Sequence, residues 1–303
     1  MGIHYQLIST STKMPAENST KTSSRLRPGE FPPLITIPPL SLPHKLTIII
    51  LHGRGFNAEK FHAPLLASPS LDPSISFRQS LAHARFVFPT APLARATKYR
   101  RSLIHQWYEG TGDWEPKARG NMRPSIEYIH KSLQDEIARL GEDAGKVVLM
   151  GFSQGGAMAL MSWLLWEGQS LGAVVVMSGF MPLAESLMVE DTGDDISEDG
   201  LFERDSEEEA TSPLQRAIDE LREEAELDPA PPMTSFPFLK TPVFMGHGKK
   251  DEDVEYCHGL SAVKCLERMG VSVKLKTYTD LAHWYCPEEL GDITQFINQQ
   301  LGL

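Results

Sequence analysis

The chain has 303 residues and a formal net charge of −11 at pH 7, and this length suffices to bury one large hydrophobic core. Hydrophobic residues make up 41% and charged residues 23%, which is ordinary for a globular protein. No apolar run reaches the roughly 20 residues that cross a bilayer, so no transmembrane segment is expected. An acidic insertion, described below, disfavours nucleic acid as a partner, because phosphate backbones bind basic surfaces.

The cysteines and the amino-terminal composition indicate the compartment. Cys257, Cys265 and Cys286 are odd in number and lack metal-ligand spacing, so neither a disulfide framework nor a zinc site is predicted. Reduced thiols favour a cytoplasmic protein. Residues 1–45 are rich in Ser, Thr, Lys and Pro and have no apolar signal core, which predicts a disordered extension before a folded domain at 46–303.

An acidic insertion is predicted at about residues 185–230. Between Glu185 and Asp228 the chain carries 18 acidic and 3 basic residues, a net charge of −15. Such a stretch repels itself and buries little apolar surface, so most of it should be solvated or disordered. One amphipathic helix is expected at 214–227, where apolar residues recur at helical spacing: Leu214, Ile218, Leu221 and Ala225.

Short apolar runs alternate with helical patterns along the rest of the chain. This alternation predicts an α/β fold whose central sheet is mostly parallel and covered by helices on both faces. The expected strands lie at 46–51, 86–88, 147–150, 173–177, 243–246 and 271–278. The expected helices lie at about 126–140, at 157–166 and after Pro287.

The segment Gly151-Phe152-Ser153-Gln154-Gly155 fits the G-x-S-x-G pattern between a predicted strand and a predicted helix. This setting is typical of a nucleophile elbow, where glycines permit a tight turn that exposes the serine at the carboxyl edge of the sheet. Ser153 is therefore the candidate nucleophile. A glycine-serine turn without chemistry is the alternative.

A serine hydroxyl needs a base, and the base needs an acid that orients it. His283 follows the last predicted strand and Asp251 follows the strand at 243–246, which matches the chain order Ser, Asp, His of nucleophile-elbow enzymes. Glu252 and Asp253 are rival acids. His247 lies too close to Asp251 in the chain, and the remaining alternative, His52, precedes the nucleophile.

Ester hydrolysis also requires N–H donors for the oxyanion of the tetrahedral intermediate. The first expected donor is the backbone N–H of Gln154, directly after the nucleophile. The second is the backbone N–H of Arg54, in a glycine-rich loop after the first strong strand. The Arg54 side chain could equally be an ordinary surface charge.

In combination these motifs resemble the acyl-protein thioesterase and carboxylesterase family, the phospholipase/carboxylesterase group of α/β-hydrolases. The resemblance covers roughly residues 46–183 and 241–301 and rests on the elbow, on Leu51-His52-Gly53-Arg54-Gly55, on Phe88-Pro89-Thr90-Ala91-Pro92, on Gln106-Trp107-Tyr108-Glu109, and on the segments around Asp251 and His283. It implies cofactor-free hydrolysis of acyl esters or thioesters, with S-acylated protein among the possible substrates. It also implies that Trp107 lines the pocket, with core packing as the alternative.

The resemblance leaves other functions open and has departures. Lysophospholipase activity, small-molecule ester hydrolysis and a non-catalytic binding protein on the same fold are the alternatives, and no oligomeric state is predicted. Arg54 and Phe56 stand where the family usually has a small apolar residue and an Asp. Trp284 and Tyr285 follow His283 where small or polar residues are usual, so these bulky groups are expected to narrow the acyl site.

Overall fold

The computed structural model describes residues 26–70, 72–110, 120–189, 212–229, 233 and 235–303. In chain order the strands are β1 (Ile35–Ile37), β2 (Leu46–Leu51), β3 (Ala84–Phe88), β4 (Leu93–Ala96), β5 (Ser102–His105), β6 (Val147–Phe152), β7 (Ala173–Met177), β8 (Val243–Gly248) and β9 (Val273–Tyr278). Seven of them form one sheet in the order β1-β3-β2-β6-β7-β8-β9, in which only β1 is antiparallel to its neighbour. Strands β4 and β5 form a separate hairpin.

Helices cover both faces of this sheet. They are α1 (Ala58–Ala67), α2 (Phe77–Ser80), α3 (Arg123–Arg139), α4 (Gln154–Leu164), α5 (Ala184–Val189), α6 (Pro213–Glu224), α7 (Tyr256–Arg268) and α8 (Pro287–Leu301). Alternate residues of β2 enter different hydrophobic clusters: Ile49 packs with residues of α3, α4, α6 and α7, and Ile48 packs with residues of α1, α2 and α8. The predicted mostly parallel sheet with helices on both faces is confirmed. No helix within these described ranges is long and apolar enough to cross a membrane.

The amino-terminal boundary predicted at residue 45 is wrong for the part of the extension that the structure describes. Strand β1 pairs with β3 in the register Ile35 to Phe88, and Ile35 and Ile37 pack against the core. Prolines at 32, 33, 38 and 39 flank this short strand, which is why the sequence favours a disordered extension here. Proline is tolerated there because β1 is the edge strand of the sheet, and its outer edge pairs with no strand among the described residues. Residues 1–25 lie outside the described residues.

The acidic insertion contributes two helices, α5 and α6, to the described structure, and residues 190–211 lie outside it. Helix α6 begins after Ser212, whose side chain caps the N–H of Gln215 at 3.1 Å, and it matches the helix predicted at 214–227. Its apolar face is buried in the main core through Ile218 and Leu221. The guanidinium of Arg222 pairs with Glu167 at 2.8 Å, beyond the end of α4. This part of the insertion is therefore integral to the fold.

We expect Leu221→Ala to lower the free energy of unfolding by about 3 kcal/mol, because it leaves a cavity where a fully buried side chain was. Glu223→Ala on the exposed face of the same helix should change it by less than about 0.5 kcal/mol. Urea denaturation of both variants measures the difference. Equal stabilities would mean that α6 does not contribute to the core.

Candidate active site

Ser153 occupies a strained turn between β6 and α4. Its φ is +55° and its ψ −125°, an unfavourable region for a residue with a side chain, and its N–H donates to the Met177 carbonyl at 2.9 Å. A Cβ on Gly151 would collide with the backbone of Gly155, and a Cβ on Gly155 would collide with the carbonyl groups of Leu51 and His52. The two glycines of the motif are therefore required by backbone packing.

The structure brings Ser153, His283 and Asp251 together at the carboxyl edge of the sheet. The His283 Nε2 lies 2.9 Å from the Ser153 Oγ, and its Nδ1 lies 2.8 Å from the Asp251 Oδ2. A carboxylate can only accept, so Nδ1–H donates to Asp251 and Nε2 is left to accept the serine proton. This is the tautomer that a general base requires.

Asp251 is held as a carboxylate by several donors. Its Oδ1 accepts from the N–H groups of Asp253 at 3.1 Å and Val254 at 2.9 Å. Burial raises its pKa, but the hydrogen bonds from His283 and from the Val254 N–H outweigh burial and bring the net pKa below the usual range. The rival acids Glu252 and Asp253 are both exposed. Of the three carboxylates, only Asp251 contacts the imidazole among the described contacts.

The two alternative histidines, His52 and His247, form hydrogen bonds with backbone groups. His52 is fully buried; its Nδ1 donates to the Gly53 carbonyl at 2.8 Å and its Nε2 accepts from the Ala91 N–H at 3.0 Å. Burial lowers the pKa of His52 to about 4, so it is neutral at pH 7. The Nε2 of His247 donates to the Val254 carbonyl at 2.8 Å, next to Asp251. Both rings position loops of the site.

The loop that carries Arg54 lies directly beside Ser153. A Cβ on the preceding Gly53 would stand 3.3 Å from the Ser153 Cβ, and the Gly55 N–H ties the loop to the His105 carbonyl at 2.8 Å. Gln154 is the first residue of α4, where backbone N–H groups have no acceptor within the helix. The backbone N–H groups of both predicted oxyanion donors therefore belong to segments adjacent to the serine.

Trp107 packs beneath this loop, which favours core packing over the pocket-lining role that the resemblance implied. Its side chain is 1% exposed, and its Nε1–H donates to the His52 carbonyl at 2.7 Å. Its backbone N–H donates to the side chain of Gln154 at 3.1 Å, and the Gln154 amide donates to the Tyr108 carbonyl at 3.1 Å. Trp107 thus supports the loop. The sequence motif at 106–109 marked its importance but not this supporting role.

The sequence profile of the Phospholipase/Carboxylesterase family matches residues 35–197, more than half of the chain. The chain belongs to this family. A profile of the Prolyl oligopeptidase family also matches, over residues 137–303. The two ranges share residues 137–197, which contain the elbow, and both families have names that describe hydrolases.

Relatives in the phospholipase/carboxylesterase family match most of the chain. Acyl-protein thioesterase 1 of Neurospora crassa is 28% identical over 87% of this chain and 92% of the relative. Carboxylesterase SOBER1 of Arabidopsis thaliana is 26% identical over 84% of this chain and 90% of its own. The crystal structures of Arabidopsis SOBER1 (24% identity, TM-score 0.60, 84% and 99% covered) and Zea mays acyl-protein thioesterase 2 (21%, 0.61, 89% and 99%) have the same α/β-hydrolase fold.

An aromatic cluster adjoins the imidazole in this family member. The cluster consists of five rings: Phe56, Phe61, Phe152, Trp284 and Tyr285. The Phe152 ring lies 5.0 Å from that of His283 and 5.3 Å from that of Trp284, and Phe56 lies 5.6 Å from Trp284. Within the described residues no group of three or more His, Cys, Asp or Glu side chains is placed to bind a metal ion.

The buried, neutral His52 predicts acid sensitivity. Its pKa is about 4 in the folded protein and near 6.5 in the unfolded chain, so only the unfolded chain binds a proton between these values. The contribution of His52 to the free energy of unfolding is fully present above pH 6.5. It should fall by about 3 kcal/mol as the pH drops to 4. His52→Gln, which can donate and accept but does not titrate, should lose less over this range.

Denaturant melts of wild type and His52→Gln at pH 7, 5.5 and 4 give the comparison. The other titrating groups are common to both proteins, so they cancel in the difference. Parallel stability curves for the two proteins would contradict a depressed pKa at His52.

Proposed function

We propose that the protein is a serine hydrolase that cleaves acyl esters or thioesters through an acyl-enzyme on Ser153. The observation that carries this proposal is the continuous hydrogen-bonded chain from Ser153 through His283 to Asp251, with links of 2.9 and 2.8 Å, in a member of the phospholipase/carboxylesterase family. The 2.9 Å distance is within the range that direct proton transfer from Ser153 to His283 requires, and the 2.8 Å hydrogen bond to Asp251 orients the imidazole.

In the first half-reaction the Ser153 Oγ attacks the acyl carbon while His283 Nε2 takes the hydroxyl proton. The carbonyl oxygen becomes an oxyanion, which the backbone N–H groups of Arg54 and Gln154 stabilise. The intermediate collapses, the bond to the leaving oxygen or sulfur breaks, and His283 returns the proton to that atom. In the second half-reaction water repeats the sequence on the acyl-serine and releases the carboxylic acid and free Ser153.

Asp251 and the start of α4 lower the energy of the charged states. The ionised Asp251 stabilises the imidazolium that forms when His283 takes a proton. The N–H groups of Asp253 and Val254 donate to this carboxylate and hold it in its deprotonated form. The positive end of the α4 dipole lies at Ser153, where negative charge develops. The site needs no cofactor for these steps, because water is the only second reactant.

For the substrate, we favour the acyl-thioester group of S-acylated protein, with a cytoplasmic location. Relatives named acyl-protein thioesterase 1 from fungi support the choice of substrate. The three free thiols among the described residues support the location. Hydrolysis of small oxygen esters is the second candidate. It is favoured by the bulky Trp284, which directly follows His283, by Phe56 in contact with Trp284, and by the relative named carboxylesterase SOBER1.

The first test is labelling with a fluorophosphonate, which reacts with activated serines. We expect the wild type to be labelled at Ser153 and Ser153→Ala to lose both labelling and ester turnover. Removal of one catalytic serine costs on the order of 10⁶ in kcat in serine hydrolases of this mechanism. Mass spectrometry of the labelled peptide identifies the site.

Ser102→Ala, an exposed serine of β5, is the matched control and should label like wild type. An unlabelled wild type would support the non-catalytic binding protein instead. Assays on palmitoyl thioester, long-chain oxygen ester and short-chain oxygen ester then separate the two substrate candidates. Turnover of short oxygen esters alone would reject the thioesterase assignment.

The assignment of Asp251 as the acid that orients His283 can be tested by comparing variants of two carboxylates in the same loop. Asp251→Asn should lower kcat by about 10⁴, because an amide at this position no longer selects the Nδ1–H tautomer of His283. Asp253→Asn should keep wild-type kcat, since the side chain is exposed and only its backbone N–H contacts Asp251. Steady-state kinetics with one ester are sufficient. A larger loss in Asp253→Asn would assign the role to the neighbouring carboxylate.

A further inference from the structure

Two half-buried aromatic side chains lie at the rim of the site. Phe56 comes directly after the loop that holds Arg54, and Trp284 comes directly after His283. Their rings lie 5.6 Å apart with an interplanar angle of 43°. We refer to Phe56 and Trp284 as the aromatic pair.

The remaining three rings of the cluster form a buried base for the aromatic pair. Phe61 is 1% exposed, Phe152 2% and Tyr285 7%. Phe61 contacts both members of the pair, and Tyr285 stacks on Trp284 at 4.9 Å. The outer rings are thus supported from below while part of their surface stays accessible. An apolar surface held in this way next to reacting groups is a ready contact for an apolar ligand.

The aromatic pair is fixed to the same backbone as the reacting groups. The Trp284 N–H donates to the Ala282 carbonyl at 2.7 Å across a tight turn centred on His283, and the Ser178 hydroxyl donates to the Trp284 carbonyl at 3.4 Å. On the other side, the Phe56 N–H donates to the Gly53 carbonyl at 3.2 Å. The pair therefore spans the gap between the imidazole and the predicted oxyanion loop.

The proposed mechanism determines which part of an ester comes to this gap. The leaving oxygen or sulfur must lie within hydrogen-bond reach of His283 Nε2, because it takes its proton there. The carbonyl oxygen points to the N–H groups of Arg54 and Gln154. The Phe152 ring contacts both the imidazole and the Trp284 ring, so a leaving group that extends from His283 along Phe152 comes to the aromatic pair.

We infer that Phe56 and Trp284 form a leaving-group subsite that, among oxygen esters, selects those whose alcohol portion is flat and apolar. This inference rests on the proposed function, because it uses His283 as the proton donor. An aromatic leaving group would cover the exposed ring surfaces and stack on them, whereas a short aliphatic one would leave them in water. Selectivity should therefore follow the leaving group at constant acyl group.

Benzyl acetate and ethyl acetate make the comparison specific. They share the acyl group, and both release an aliphatic alkoxide that needs protonation, so their intrinsic chemistry is similar. We expect wild type to prefer benzyl acetate in kcat/KM, and Phe56→Ala and Trp284→Ala each to lower the benzyl-to-ethyl ratio by about tenfold. Trp284→Phe should restore most of the ratio, because it retains a ring.

Tyr99→Ala, which removes an exposed aromatic residue outside the aromatic cluster, is the control and should leave the ratio unchanged. If the aromatic pair had a purely structural role, its variants would lower kcat/KM for both esters together and keep the wild-type ratio. This result would overturn the inference. Ethyl phenylacetate moves the ring to the acyl side. A loss in the variants that appears for ethyl phenylacetate and not for benzyl acetate would assign the pair to the acyl group instead and overturn it equally.

The ratio also separates this inference from the proposed function. Failure of wild type to hydrolyse any of the three esters, together with absent fluorophosphonate labelling, would count against the hydrolase itself. Hydrolysis of all three with unchanged ratios in the variants would leave the hydrolase intact and reject the subsite alone.

Discussion

The site depends on the close approach of two backbones at the elbow. Gly155 lies against the carbonyl groups of Leu51 and His52, and Gly151 lies against Gly155 itself, so β6, α4 and the loop after β2 meet with no space for a Cβ. This contact turns the chain sharply at Ser153 and places the predicted oxyanion loop beside it. The positive φ of Ser153 is a local cost, and the buried strands on either side of β6 stabilise the turn against it.

Polar side chains connect the segments that meet at this contact. His52 sits in the loop after β2 and uses both ring nitrogens on backbone groups, while Trp107 donates to the carbonyl of the same residue. The side chain of Gln154 binds the backbone at 107 and 108 and so connects the elbow to this loop. His52, Trp107 and Gln154 thus join the segments around the serine through hydrogen bonds of neutral side chains, and the imidazole lies between Ser153 and the ionised Asp251.

The chemistry could be predicted from sequence to a different extent for each residue. Ser153 and His283 were identifiable because chain order and strand ends restrict where a serine and its base can lie. The choice among Asp251, Glu252 and Asp253 needed the structure, since only burial and the direction of each side chain distinguish neighbouring carboxylates. The choice between the two roles of Trp107 also needed the structure, because a motif marks a position, but a tryptophan next to a site can face substrate or support a loop.

Elements at the periphery of the fold were also harder to predict from sequence than the central strands. The buried parallel strands are apolar runs that sequence reveals, whereas β1 has three residues among prolines and gains its stability from pairing with β3. Helix α7 was not predicted, and its apolar positions are broken by Gly259 and polar residues on the outer face. Helix α6 was predicted from spacing alone, although its packing into the main core could not be read from an otherwise acidic segment.

Both residues of the aromatic pair depart from the family pattern, and only the structure shows that these two departures are related. Phe56 and Trp284 are far apart in the chain, and each alone reads as a bulky replacement beside a loop. In the fold they contact each other on one buried aromatic base, so the two replacements act as one surface. The reacting groups of the site depend on backbone contacts that leave no space for a Cβ, whereas the aromatic pair consists of half-buried side chains at the rim. Substrate preference can therefore vary at such a rim while the machinery beneath it stays constant, because the rim contacts the part of the ester that the chemistry expels.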